Sequence, residues 1–168
     1  MITREEIVAN LVEAAGGLIV GRIRLQKMFY LFQQLGLKSG FDFVYHHYGP
    51  YSEALSIAVQ RAALVNKSII EQEKPSEFGG HFSEFLLLTS SKPKAIGDLP
   101  FEKAAELASR MKDETSVVIE LAATIHWLRY KEAIVDWETE LRRRKPRKTS
   151  DENVAKAIRL LKDISLPA

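Results

Sequence analysis

The sequence of 168 residues predicts a mainly helical α+β fold. In most of the chain apolar residues recur every three or four positions, which is the spacing of amphipathic helices. Three shorter segments are instead rich in aromatic and β-branched residues, which favours strands. Because every segment after residue 100 has the helical spacing, we expect one domain, 1–168, with a mixed part over 1–90 and a helical part over 101–168 packed on it.

Two helices are predicted at the start of the chain. Thr3 and Glu6 form a capping box, which predicts the start of the first helix, and Gly16–Gly17 ends it. The second helix is predicted over 22–35, with Gly36 at the position where helices commonly end. Its apolar face consists of Leu25, Met28, Phe29, Phe32 and Leu35.

A strand, a turn, a third helix and a hairpin are predicted next. Residues 41–48 have the composition of the strand, Gly49–Pro50 predicts the turn, and 52–65 has the spacing of the helix. Segments 68–72 and 82–89 are predicted to pair as a hairpin, because a long polar loop with a proline and two glycines separates them.

This order of elements resembles a winged helix-turn-helix, in which the third helix is the recognition helix and the hairpin is the wing. The charges do not suit the usual binding to DNA, because residues 69–89 of the wing contain Lys74 against four glutamates. A phosphate backbone would repel a surface with that balance. We therefore expect a winged-helix shape that does not bind DNA. A winged-helix DNA-binding regulator remains the alternative function.

The remainder of the chain predicts four helices. Three are expected at about 101–111, 114–131 and 133–143, and Thr149–Ser150–Asp151 begins the last. The helix over 114–131 is the longest and places its apolar residues inward.

Composition excludes several classes of protein. The chain has no cysteine, so disulfides, thiolate zinc sites and cysteine nucleophiles are excluded. The net charge of +2 predicts no general affinity for nucleic acid or for an anionic membrane. No apolar run is long enough to span a bilayer, and the first residues lack the pattern of a secretion signal, so we expect a cytoplasmic protein.

A search for catalytic residues finds no convincing set. His46 and His47 are adjacent on a predicted strand, so they point to opposite faces and do not share a metal. His126 lies beside Trp127 on a predicted helix, where packing is the simpler role. No phosphate-binding loop, dinucleotide fingerprint or nucleophile elbow is present. We therefore expect no enzyme, no catalytic residue, no cofactor and no metal site.

The most concentrated charge is a basic run near the C-terminus. It could bind phosphate or an acidic partner, or it could be the solvated end of a helix, which cations stabilise. Acidic residues flank the run and favour the second interpretation. The run consists of Arg142, Arg143, Arg144, Lys145, Arg147 and Lys148.

Two segments together resemble a known family. Residues 24–32 contain a Leu-Gln-Lys helix, and residues 43–52 contain an aromatic strand followed by Gly49–Pro50. This pattern is similar to that of the Panacea (SocA-like antitoxin) superfamily, and within it to the YwgA-like proteins. Residues 120–124 and the last helix from Ser150 extend the similarity.

The resemblance implies a helical domain that acts by contact with another protein, as an antitoxin or a proteolytic adaptor does. We therefore expect a non-enzymatic protein-interaction domain of the Panacea type. A toxin encoded nearby is one candidate partner and a second copy of the chain is another, whereas nucleic acid is disfavoured and a membrane is excluded. The residues expected to bind the partner are Gln26, Lys27, Tyr30, Tyr48 and Tyr51.

Overall fold

A computed structural model describes residues 2–167 of the chain. These residues form seven α-helices and seven short strands, so the prediction of a mainly helical α+β fold is confirmed. The winged-helix arrangement of the first part stays a prediction. The helices are α1 Arg4–Ala14, α2 Arg22–Gln34, α3 Glu53–Leu64, α4 Phe101–Lys112, α5 Ser116–Tyr130, α6 Trp137–Arg144 and α7 Asp151–Asp163, and the strands are β1 Leu18–Val20, β2 Val44–His46, β3 Gly49–Tyr51, β4 Ile69–Pro75, β5 His81–Leu87, β6 Ala95–Ile96 and β7 Leu99–Pro100.

The largest sheet has three antiparallel strands in the order β1-β5-β4. The predicted hairpin forms its longer part, in which Ile69 pairs with Leu87 and Pro75 with His81. Strand β1, which the sequence did not predict, adds to the free edge of β5. Buried and exposed side chains alternate along the strands. One face of this sheet therefore packs against the helices and the other faces solvent.

Strands β2 and β3 form a second, much smaller hairpin. Its turn is at His47–Tyr48, two residues before the predicted position, and Gly49–Pro50 lies in the returning strand. The predicted strand over 41–48 is correspondingly short and begins at Val44. Phe41 is nevertheless buried, with its ring edge-on to Phe29, so its aromatic character serves packing rather than strand formation.

Helix α5 runs through the centre of the molecule. Every residue from Val118 to His126 is buried, because α2, α6, α7 and β3 surround this helix. The buried apolar residues form one core that extends from α1 to α7. Glu120 is the one charged residue in the buried part of α5, and this position determines the site described below.

The predicted ends of the helices agree with the structure where the signal is local. Thr3 accepts from the Glu6 amide while Glu6 accepts from the Thr3 amide, as a capping box does. The helix predicted over 133–143 instead begins at Trp137, since Ala133 adopts a left-handed backbone with a φ of 55°. Among residues 2–167, no helix combines the length and apolar character needed to cross a membrane.

Candidate functional site

Two side chains of α2 support the small β2–β3 hairpin through hydrogen bonds to its backbone. Gln26 donates from Nε2 to the Ser52 carbonyl at 3.0 Å and accepts from the Ser52 amide at 2.9 Å. Lys27 donates from Nζ to the Pro50 carbonyl at 2.7 Å. Both side chains are buried, so they satisfy backbone groups that would otherwise lack partners.

Helix α5 approaches the hairpin from the other side and requires a glycine there. Gly49 has a φ of +90°, and a Cβ at this position would lie 2.5 Å from Thr124 Oγ1. Thr124 in turn donates from its hydroxyl to the Glu120 carbonyl at 2.8 Å. The conformation and the contact both exclude a side chain at residue 49.

Next to this contact lies a buried group of charges, called here the lysine cluster: Lys27, Lys145, Lys148 and Glu120. Lys145 Nζ lies 2.8 Å from Glu120 Oε2, and Lys148 Nζ lies 2.8 Å from Glu120 Oε1. Lys145 also donates to the His47 carbonyl at 3.3 Å, which ties the cluster to the hairpin turn. Two ammonium groups therefore share one carboxylate, and the third, that of Lys27, has no ion pair.

Burial changes the proton affinity of these lysines. Desolvation lowers the pKa of Lys27 to about 8, against a smaller opposing effect of Glu120. Desolvation also lowers the pKa of Lys145, although its hydrogen bond to Glu120 acts in the other direction. Positive charge in this cluster is therefore costly in the absence of a further anion.

Tyr30 and His126 form a second buried polar pair. Tyr30 Oη lies 2.8 Å from His126 Nδ1. Desolvation lowers the pKa of His126 to about 4, and burial raises the pKa of Tyr30. At neutral pH an uncharged tyrosine and an uncharged imidazole therefore share this hydrogen bond.

An exposed ionic group continues from the hairpin to α6. Arg144 binds Glu132 through both carboxylate oxygens, at 2.7 and 2.9 Å, and lies 4.8 Å from the centre of the Tyr45 ring. Glu132 also accepts from Trp127 Nε1 at 2.9 Å. The hydrogen bond from Arg144 holds the pKa of Glu132 below its usual value.

The basic run is not a continuous free patch. Arg142 donates to the Thr149 carbonyl at 2.7 Å and to Asp151 at 3.0 Å, and Arg143 donates from Nε to Glu140 at 2.6 Å. Arg144, Lys145 and Lys148 bind the carboxylates described above, whereas Arg147 is exposed. Contacts within the protein therefore already engage most of the positive charge of the run, and its binding to phosphate stays a prediction.

The residues predicted to bind a partner divide into two groups. Gln26 and Lys27 are buried and support the hairpin, and Tyr30 is buried against His126, so the role of these three in binding a partner stays a prediction. Tyr48 is half exposed, and Tyr51 is less so and donates to Glu53 at 3.0 Å. The prediction of a direct contact stays open for these two tyrosines.

Two clefts flank the turn of the hairpin. One, of about 330 Å³, is lined by residues of α2 and by His46, His47, Tyr48, Tyr51 and Glu53. The other, of about 480 Å³, is lined by Tyr45, His46, His47 and Arg144. The two histidines thus lie between a cleft over the lysine cluster and a cleft beside Arg144. We call the first of these the hairpin cleft.

The outer face of the three-stranded sheet is a separate candidate surface. Leu18, Leu86 and Ile70 lie side by side across the three strands, and Val20 and Phe82 share their face. Leu18, Val20 and Ile70 are each 37% exposed and Phe82 is 36% exposed. An apolar group of this kind on a sheet face is typical of a surface that another molecule covers.

Sequence reasoning missed the central residue of the lysine cluster. Glu120 stands within the apolar segment 117–125, and a lone carboxylate in such a segment of a helix is a signal for a buried ion pair. Its partners follow 25 and 28 residues later, so the sequence offered no local sign of them. Among residues 2–167, no group of three or more metal-ligating side chains is present.

Comparison with known proteins gives two relatives. No family model matches the chain. Over 126 residues it is 32% identical to the DNA ADP-ribosyl glycohydrolase of Thermus aquaticus. This segment covers 70% of this chain and 33% of that protein. Over 111 residues it is 29% identical to the uncharacterised protein YwgA of Bacillus subtilis, which covers 65% of each. The chain therefore spans about a third of the first relative and just under two thirds of the second.

The comparisons support one prediction in part and contradict another. The similarity to YwgA confirms a YwgA-like relation, while membership of the Panacea superfamily stays a prediction. The prediction that the chain is not an enzyme is contradicted, because a protein that shares most of this segment is named for a catalytic activity. The support for an activity in this chain is weak, since the shared segment is a third of that protein.

Proposed function

We propose that the chain is a protein-binding module, antitoxin-like or adaptor-like, that works in the handling of ADP-ribosylated DNA. The observation that carries the proposal is the apolar outer face of the three-stranded sheet. A solvent-exposed row of Leu18, Leu86 and Ile70 costs free energy until another surface covers it.

The charges around this face specify the chemistry of the partner. Residues 69–89 contain four glutamates and one lysine, and of these Glu73, Lys74 and Glu77 are exposed. On this face Lys74 pairs with Glu84, and the loop adds Glu77, so the rim of the apolar centre carries a net negative charge, which fits a protein that presents an apolar patch with a basic rim. The same rim disfavours nucleic acid, which leaves the DNA-binding regulator as the weaker alternative.

The relative from Thermus supplies the setting. Its name, DNA ADP-ribosyl glycohydrolase, describes the removal of ADP-ribosyl groups from DNA, and the shared segment is a third of its length. We carry this setting over to the present chain on the strength of that shared segment. The partner is therefore sought among proteins that act on the same modified DNA.

The experiment measures binding between the full chain and the purified products of the adjacent genes. We expect one of them to bind with a dissociation constant below about 10 μM by isothermal titration calorimetry. Ile70→Lys is expected to weaken that binding at least about tenfold, and Ile70→Asp less, because a basic rim repels lysine more strongly. Val135→Lys is the matched control, since Val135 is an exposed apolar residue on a different segment.

Two results would count against the proposal. If none of the products of the adjacent genes binds the chain, the proposal of a protein partner encoded nearby is wrong. Binding that Ile70→Lys leaves unchanged while Tyr48→Ala weakens it would move the interface to the hairpin. The same preparations are assayed for release of ADP-ribose from an ADP-ribosylated oligonucleotide, because the Thermus relative is named for that reaction.

A further inference from the structure

Strand β1 forms one edge of the three-stranded sheet and leaves part of its backbone without partners. The residues on either side of β1, Gly17 and Gly21, are hydrogen-bonded to the backbone of β5. Because hydrogen bonds alternate along an antiparallel pair, Ile19 also bonds to β5, whereas Leu18 and Val20 direct their amides and carbonyls away from it. Within residues 2–167, only one of these four groups, the Val20 carbonyl, has a hydrogen-bond partner.

The two edges of this sheet differ in their protection against further pairing. The β4 edge carries Glu71, Glu73 and Lys74 and ends at Pro75, and charges and a proline of this kind discourage an added strand. Strand β1 consists of leucine, isoleucine and valine, without a charge or a proline. Its shortness limits an added segment to a few backbone hydrogen bonds. The β1 edge is therefore the one at which this sheet can accept a short further strand.

A groove of about 340 Å³, called here the edge groove, lies beside β1. Its lining includes all three residues of β1, Arg24 of α2, and Lys112 at the end of α4. Arg24 donates from Nε to the Val20 carbonyl at 3.0 Å, and this carbonyl points away from β5. The groove therefore lies on the free side of β1, where a further strand would pair.

Two cations mark the two ends of β1 in this groove. Arg24 lies at the Val20 end, and a Cβ built at Gly16, before the other end, would lie 3.4 Å from Lys112 Nζ. In the part of the chain that the structure describes, neither cation has a carboxylate within 4.0 Å. Asp113 is the one carboxylate residue in the lining, so the edge groove has a net positive charge.

We propose that a short extended segment of another protein, apolar in its middle and acidic at both ends, adds to β1 as a further strand. The unpaired backbone groups select an extended chain, because such a chain presents donors and acceptors at the same spacing. Lys112 and Arg24 select the carboxylates at its ends. A second copy of β1 fits the backbone but not the charges, since antiparallel pairing would bring the cations of the two copies together.

Binding of a peptide to the full chain tests the proposal. The probe is a fluorescein-labelled peptide in which valine and threonine alternate and a glutamate stands at each end. We expect fluorescence anisotropy at low salt to give a dissociation constant below about 1 mM, and at least about tenfold weaker binding when lysines replace the glutamates. A peptide with N-methylated central residues, which lacks the backbone donors, is expected not to bind.

Variants locate the site. Val20→Pro removes an outward-pointing amide, which an edge strand tolerates, and is expected to weaken binding at least about tenfold. Glu73→Pro is the matched control, because the register of β4 also directs the Glu73 amide away from β5. Lys112→Glu, at an exposed position, is expected to weaken binding several-fold and keeps the test valid if Val20→Pro folds poorly.

Amide hydrogen exchange, followed by NMR, reports on the backbone itself. In the free chain the amides of Leu18 and Val20 are expected to exchange at least about tenfold faster than that of Ile19, which bonds to β5. The glutamate peptide is expected to slow exchange at Leu18 and Val20. A peptide that is held only by its charges would leave these two rates unchanged.

Four results would overturn the inference. The first is no binding of the glutamate peptide at about 2 mM and low salt. The second is equal binding of the lysine peptide, and the third is binding that Val20→Pro leaves unchanged. The fourth is a dimer in sedimentation that Val20→Pro dissociates, which would assign the edge to a second copy. Ile70→Lys is expected to leave peptide binding intact, because Ile70 lies on β4, so failure here and failure of the outer-face proposal are distinguishable.

Discussion

Two hairpins of this protein, β4–β5 and β2–β3, are stabilised in opposite ways. Strands β4 and β5 pair over seven residues each and bury Ile69 and Phe85 on one face, so apolar burial stabilises their sheet. Strands β2 and β3 pair over three residues each, which is too short to be stable alone. The short hairpin is held instead by Gln26 and Lys27 and by the charges around Glu120.

The difference has a functional meaning. A sheet that is stabilised from one side leaves its other face free to bind, and the three-stranded sheet does so with an apolar surface. A hairpin that is held by buried polar groups has a single geometry, because each hydrogen bond requires it. The first region is suited to covering by a protein surface, and the second is suited to holding the exposed groups of its turn in fixed positions.

The largest expected effect tests the polar support of the short hairpin. Glu120→Gln leaves the ammonium groups of Lys145 and Lys148 without their shared carboxylate. Loss of one side of a buried ion pair costs about 4 kcal/mol of unfolding free energy. In a chain of this length, that cost corresponds to a fall in Tm of about 10 °C, measured by calorimetry or circular dichroism.

Glu106→Gln is the control for this variant. Glu106 is half exposed and pairs with Lys103 and Arg110 on the surface of α4, so its loss is expected to cost below about 0.5 kcal/mol. Equal effects of the two substitutions would remove the contrast between the buried cluster and the surface.

The second prediction compares two glycines with almost the same backbone. Gly49 in the short hairpin has a φ of +90° and Gly79 in the loop of the long one has a φ of +91°. Gly79→Ala is expected to cost about 1 kcal/mol, which is the strain of the left-handed backbone alone. Gly49→Ala is expected to cost about 3 kcal/mol by denaturant unfolding, because its Cβ would also lie 2.5 Å from Thr124 Oγ1.

The interpretation of Gly49 has its own check. The double variant Gly49→Ala, Thr124→Ala is expected to recover part of the loss, because it removes the contact but not the backbone strain. Equal costs at Gly49 and Gly79 would show that the close approach of α5 is unimportant.

The third prediction concerns pH. His126 has a pKa of about 4 in the folded chain and about 6.5 when unfolded, so the unfolded state binds more protons between these values. The stability from the neutral histidine is fully present above about pH 6.5 and is lost as the pH falls towards 4. We expect a loss of about 2 kcal/mol between about pH 7 and pH 5, measured by urea unfolding.

Variants identify the group responsible. His126→Gln is expected to flatten this part of the pH profile, whereas His81→Gln, an exposed residue of the long hairpin, is expected to leave its slope unchanged. A profile that His126→Gln does not alter would assign the titration to other groups.

The smallest expected effect is on the sheet face. Ile70→Thr keeps a β-branched side chain at a partly exposed position, so the free energy of unfolding is expected to change by less than about 0.5 kcal/mol. Ile69→Thr on the buried face of the same strand is expected to cost several times more. Similar costs at the two positions would contradict the assignment of a free outer face.

The sequence predicted the elements of the fold better than the roles of its polar residues. The capping box at Thr3, the helical spacing after residue 100 and the long hairpin depend on residues close in the chain, and the structure contains all three. Strand β1 was missed because three residues carry too little periodicity to be recognised. The turn of the short hairpin was misplaced by two residues, because Gly49–Pro50 has the composition of a turn but lies in a strand.

The basic run and the Leu-Gln-Lys helix show where sequence reasoning ended. Both were identified as unusual, and the structure shows that Gln26, Lys27 and Lys145 are internal supports of the site. The sequence alone does not show whether a charged or polar residue faces solvent, a partner or a buried backbone group. Only the distance to its partners separates these cases.

The sequence by itself determined which segments are helices, which residues form the apolar core and that cysteine chemistry is absent, because these properties follow from composition and local spacing. The tertiary structure decided which charges are buried. Lys27, Glu120 and Lys145 come from three different elements, and their cost and their proton affinity depend on mutual distance and on the exclusion of water. The distances between these groups and the exclusion of water from them are established only when the chain has folded.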